Sequence, residues 1–295
     1  MAILSYFLAL TANFCFASAS LVFTHFSKRT NVYWVNMFKA MVALVAGLVA
    51  MIFLDDLTWT KGQIYFVLSG MIGLLVADVF LLKAFLLLGP GRSLVLFGFQ
   101  PLFIGITAYY LFGQTMTLMQ LVSIFFLLAC LFVFSLENKR MYKSWGIKGL
   151  AFALIAIILD GVGLLLSKAG FEASQTHFIQ ANMIRSVGAF VGFYILSFFI
   201  SFPLVFTYKK LSLKEKYIIS IGCFFGTFLA LSLYMWAIDI GHLASLTAIT
   251  VTSPFMAAAL EAVINKKMPS KYFFVAFLFF IIGFVFLVGP KVGWF

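Results

Sequence analysis

Asp78 and Asp160 each stand at least nine residues from either end of a long apolar run, and Lys39, Lys83 and Arg185 also lie inside such runs. Runs of this length cross a bilayer, where a charged side chain near the middle costs roughly 3 kcal/mol unless it is paired or hydrated. Charge retained there marks a binding site, a relay or an ion pair between helices. Asp78 and Lys83 are five residues apart, about 140° round a helix, so neither neutralises the other and each needs a partner on another span or a wet cavity. Arg185 sits beside Asn182 and Gln180, a setting in which a planar two-donor fork suits a carboxylate or another planar acceptor. Lys39 and Lys83 have stems long enough to reach the interface, which is the alternative reading for both.

Two proline sites add exposed backbone to these charges. Gln100-Pro101 and Ser253-Pro254 fall within apolar runs, where each proline kinks the helix, removes a hydrogen bond and frees a carbonyl. Such carbonyls are tolerated when they face a cavity or a neighbouring helix. Tyr234, Trp236 and Asp239 could form an aromatic wall with a carboxylate at its end, against the plainer reading of an interfacial belt. The two aspartates have two candidate roles. Either could bind and release a proton as a cavity changes side, or be held as a fixed counter-ion by Lys39, Lys83 or Arg185. His25, His177 and His242 are scattered, Cys15, Cys130 and Cys223 lie in apolar segments, and no metal-ligand spacing or catalytic cysteine pattern stands out. No enzyme chemistry, metal or cofactor is expected.

The elements that must carry these residues follow from composition. The 295-residue chain is 64% hydrophobic and 10% charged, with a mean hydropathy of +1.13. That usage defines an integral membrane protein. The net charge of +11 resides in short connectors, which points to membrane orientation and excludes nucleic acid as a partner. Apolar runs predict ten spans, near 3–24, 32–54, 62–87, 93–112, 116–136, 148–170, 178–206, 217–238, 243–264 and 271–289. Only helices satisfy their backbone at this length in lipid, so the fold is all-α.

The charged connector from Glu137 to Lys148 divides the chain into two five-helix halves, 1–140 and 141–295. Ala84 and Pro101 are 17 residues apart, as are Ala237 and Pro254, 153 residues later. Asn36-Met37-Phe38-Lys39 likewise matches Asn182-Met183-Ile184-Arg185 at an offset of 146. An odd number of spans per half makes the two repeats inverted. Fourteen connector Lys and Arg fall on one side and three on the other, which places both termini in the periplasm.

These features resemble the drug/metabolite transporter superfamily in its EamA-type, ten-helix form, over nearly the whole chain. The resemblance rests on the basic residue of each second helix (Lys39, Arg185), on the proline hairpins with Ala84, Pro101, Ala237 and Pro254, on Asp78 to Ser93, and on Gly161 to Gly170. The fourth helix of that family usually closes with Gly-Glu, where this chain has Gly113-Gln114 and, in the second half, Lys266-Lys267. The resemblance implies a central cavity lined by helices one, three, four, six, eight and nine. It also implies export of a small polar metabolite such as an amino acid by alternating access across a bacterial inner membrane. Protons are the candidate coupling ion, a monomer suffices, and the lipid bilayer is the other partner. Uptake of a sugar or nucleoside-type solute, a lipid head-group enzyme and a non-transporting subunit are the alternatives.

Overall fold

A computed structural model describes residues 2–54, 57, 59–114, 117–141, 146–249, 252–253, 256, 259–260 and 271–292. Pro254, Thr250, Glu261, Lys266 and Lys267 therefore lie outside the described residues. The architecture is all-helical, with no strand among the described residues. Among the described residues, six helices are long and apolar enough to cross a membrane: Ile3–Arg29, Val32–Met51, Lys61–Leu88, Ile147–Ala173, Phe178–Leu196 and Leu213–Ile240. We label the helices α1 (Ala2–Arg29), α2 (Val32–Met51), α3 (Lys61–Leu88), α4 (Pro90–Phe97), α5 (Gln100–Phe112) and α6 (Leu118–Met141) in the first half. The second half holds α7 (Ile147–Ala173), α8 (Phe178–Leu196), α9 (Leu204–Lys210), α10 (Leu213–Ile240), α11 (Leu243–Ile249) and α12 (Lys271–Val292).

The ends of these helices follow local chemistry. Asn31 Oδ1 accepts from the backbone N–H groups of Tyr33 and Trp34 and starts α2. Gly89, at φ 86°, ends α3, and Pro90 opens α4. Two expected spans are interrupted. The fourth is divided between α4 and α5 by a turn at Gly98-Phe99, just ahead of Pro101, as the missing proline N–H requires. The seventh was expected to continue to residue 206, but α8 stops at Leu196, and the chain resumes helix only after Pro203. Pro203 cannot donate to a helix and disfavours helical backbone in the residue before it.

Two helices carry a wide turn in the middle. Residues Gly70–Ala77 of α3 and Phe224–Leu229 of α10 are π-helical, a rare geometry that leaves carbonyls off the ordinary ladder. Gly73 and Gly226, one in each turn, are 153 residues apart, the offset that also relates Pro101 to Pro254. Glycine is needed at Gly70 and Gly226, where a neighbouring helix lies too close for a side chain. A Cβ on Gly70 would stand 1.9 Å from the carbonyl oxygen of Arg185, and one on Gly226 would stand 2.2 Å from Ala19 Cβ. In lipid, apolar burial drives helices together weakly, so close small-residue contacts of this kind hold the bundle.

Helix pairing follows the repeat. α1 packs on α10 and α3 on α7, two pairs that exchange when the halves are exchanged. α2 packs on α8, and α6 on α12, where Phe126 and Phe286 stack with ring centroids 5.7 Å apart. Two apolar layers result. One surrounds Tyr6, Phe66, Ile184 and Met235. The other surrounds Phe23, Phe85, Phe193 and Ile219. The polar residues of the mid-spans lie between them.

Candidate functional site

A cavity of about 100 Å³ lies between the two apolar layers. α1 supplies Ala12, Asn13 and Phe16, α7 supplies Asp160 and Leu164, and the two sets are related by an offset of 148, Ala12 with Asp160 and Phe16 with Leu164. α3 supplies Leu74, Ala77, Asp78 and Leu81, and α10 presents Thr227, Ala230, Leu231 and Tyr234 at the same positions plus 153. Gln100 and Ser253 repeat that offset, and Lys39 and Arg185 are paired at 146. Equivalent positions of the two halves thus form the walls, whereas the side chains on them differ. The second and seventh expected spans, here α2 and α8, contribute through Lys39 and Arg185, in addition to the six helices expected.

Among the expected site residues, Lys39, Asp78, Gln100, Asp160, Arg185, Tyr234 and Ser253 come together on this cavity. Lys39 Nζ donates to Asp78 Oδ2 at 2.6 Å and to Asn36 Oδ1 at 3.1 Å, and lies 4.7 Å from the Phe23 ring centroid. Lys39 is therefore paired and 3% exposed, not reaching to the interface. Asp160 is held differently, with its Oδ2 accepting from Gln100 Nε2 at 2.8 Å. Pro101 follows Gln100 and starts α5, so the helix break places that amide against Asp160. Arg185 is 1% exposed and directs Nη1 to Met235 Sδ at 3.2 Å, a weak acceptor for a cation. Among the described residues no carboxylate lies within ion-pair distance of Arg185 or lysine or arginine within ion-pair distance of Asp160.

Of the buried polar atoms without a hydrogen-bond partner among the described residues, four belong to residues that line this cavity: Asn13 Nδ2, Arg185 Nε, Thr227 Oγ1 and Tyr234 Oη. Buried polar groups are nearly always satisfied, so a cluster without protein partners marks a place that receives polar atoms from outside the chain. Asn13 and Thr227 were not among the expected residues. Asn13 is the one amide in the first apolar run, a signal that could have been used. Thr227 offers no comparable signal, because threonine in a span commonly bonds its own helix.

Four expected residues lie elsewhere. Lys83 donates to Tyr33 Oη at 3.1 Å and sits among the rings of Tyr33, Phe80 and Phe152, 5.2 to 5.8 Å from their centroids. Trp236 stacks on Phe178 with centroids 4.9 Å apart and 5° between planes. Asn182 Nδ2 donates to Ser232 Oγ at 2.9 Å and to Phe228 O at 3.1 Å, a carbonyl inside the second π turn. Asn182 is thus a support for the wall that carries Thr227. Asp239 is exposed, and its carbonyl, with that of Ile238, accepts from Lys168 Nζ, a cation closing the C-terminal end of α10. Of the two aspartates, Asp78 is the one in contact with a lysine.

The chain is thus a duplicated helical bundle whose two halves present equivalent positions to one buried polar cavity. The sequence matches the model of the EamA-like transporter family over residues 3–136 and again over 147–289, and the chain belongs to that family. No curated protein matches it. Among solved structures, the crystal structure of a protein 13% identical aligns with a TM-score of 0.77, covering 99% of this chain and 99% of that one. At that identity the likeness is one of fold.

Proposed function

We propose that this protein is a secondary transporter that exports a small zwitterionic metabolite of the amino-acid type by alternating access between two inverted repeats, residues 1–140 and 141–295. One observation carries the reading: Arg185 and Asp160, opposite charges that are not paired with each other, line the same small cavity. A fixed guanidinium suits a planar carboxylate through two parallel hydrogen bonds, and a carboxylate without a cation beside it suits an ammonium. Asn13, Thr227 and Tyr234 offer further hydrogen bonds to the same ligand. A sugar or nucleoside would leave both charges uncompensated, which disfavours that alternative. Asp160 is the residue we assign to proton coupling, because Asp78 is already engaged by Lys39.

Flux of labelled amino acids in proteoliposomes, guided by a survey of metabolites retained in cells with and without the protein, tests the assignment. The expected result is saturable transport of a zwitterion, inhibited by related zwitterions and indifferent to neutral sugars. Transport of sugars or nucleosides with no response to zwitterions would overturn it.

A further inference from the structure

The break at residues 200–203 creates a feature outside the cavity just described. The short helix α9 is turned back across the start of α2, where Trp34 Nε1 donates to Leu204 O at 3.0 Å and Phe38 stacks on Tyr208 with centroids 5.3 Å apart. Between α2, α9 and α10 lies an apolar groove of about 430 Å³, walled by residues such as Met41, Val45, Val205 and Tyr208. Four lysines follow Tyr208 within eight residues. Lys209 and Lys210 follow Tyr208 directly, Lys214 and Lys216 lie on the first turn of α10, and Lys216 Nζ is 5.4 Å from the Tyr208 ring centroid. The stretch has one carboxylate, Glu215, and it is already engaged. Its Oε2 accepts from the backbone N–H and hydroxyl of Ser212, both at 2.8 Å, and its Oε1 from Arg29 Nη1. The four lysines therefore have no carboxylate partner among the described residues.

An apolar trough ending in uncompensated positive charge is complementary to an amphiphile with an anionic head. Basic pockets between membrane helices hold acidic lipid head groups on this principle, each nearby lysine contributing through the surface charge. We propose that the groove binds one anionic phospholipid, an acyl chain lying along Met41 and Val45 of α2 and the phosphate resting on Lys209, Lys210 and Lys216. A basic connector serving orientation alone needs charge but no groove beside it.

Native mass spectrometry of the detergent-purified protein, titrated with phosphatidylglycerol or with phosphatidylcholine of the same acyl chains, tests this. Phosphatidylglycerol should bind about tenfold tighter than phosphatidylcholine, and Lys209→Gln with Lys210→Gln and Lys216→Gln should abolish that preference. Val45→Phe, at a side chain that is 54% exposed, should fill the groove and weaken both lipids alike. If the triple variant is lost in purification, Lys209→Gln at an exposed position carries the same comparison with a smaller shift. An unchanged lipid preference in the lysine variants, or unchanged phosphatidylglycerol affinity in Val45→Phe, overturns the proposal.

Discussion

The two aspartates of the cavity are held differently, Asp78 by a lysine and Asp160 by an amide. Asp78 accepts from a buried ammonium, so Asp78→Asn strands Lys39, and breaking a buried pair this way costs about 3–5 kcal/mol. A thermal melt in detergent should show a clearly lowered midpoint for that variant. Asp160→Asn keeps an oxygen for Gln100 to donate to, so its midpoint should stay near that of the parent. Its exchange of substrate for substrate should persist at a raised half-saturating concentration, because the substrate ammonium loses its carboxylate, and accumulation driven by a pH gradient should be lost, read in proteoliposomes. Arg185→Lys should keep expression and reduce flux at low substrate by roughly 10- to 100-fold, since an ammonium replaces a two-donor fork; uptake of labelled substrate measures it. The four charges of the cavity were legible in the sequence because charge in an apolar run is costly enough to need a reason. Their pairing was not, since it depends on the rotation of each helix against its neighbours. Asn13 and Thr227 escaped attention because neutral polar side chains are cheap within a span, and Trp236 drew too much of it because an aromatic residue at a span end has several uses.

At the level of the helices, the two π turns set the walls of the cavity, for Leu74 and Ala77 lie in the first and Gly226 and Thr227 in the second. Both depend on glycine against a neighbouring backbone or side chain. Gly70→Ala should collapse the folded yield, because its Cβ would lie within van der Waals overlap of a backbone oxygen that cannot move alone, whereas Gly146→Ala, with no atom within 4 Å, should be silent. Gel filtration of the solubilised protein, followed by a melt of any folded fraction, measures both. A continuous apolar run such as residues 70–77 reads the same whether it is α- or π-helical, because no polar residue marks the face, and the turns were therefore invisible beforehand. The interruption before α9 did have a signal in Pro203, overridden by the hydrophobicity on either side of it.

The whole molecule is organised by its duplication, which was readable in the spacing of Ala84, Pro101, Ala237 and Pro254 because tight hairpins and kinks constrain sequence more than lipid-facing positions do. Connector charge is the ground for expecting both termini outside the cytoplasm: alkaline phosphatase fused to Phe295 should then be active in intact cells, and activity only from a cytoplasmic reporter would reverse the topology. The cavity itself carries two cations and two carboxylates, Lys39 and Arg185 against Asp78 and Asp160, a formal sum of zero. A membrane voltage does work of about 2.3 kcal/mol per 100 mV only on charge that crosses it. A zwitterion carried alone moves none, and the carrier would be electrically silent, whereas a proton returning on Asp160 makes every cycle a current. A voltage imposed across otherwise symmetric proteoliposomes, with no chemical gradient of substrate or proton, should therefore produce net substrate movement in the parent and none in Asp160→Asn.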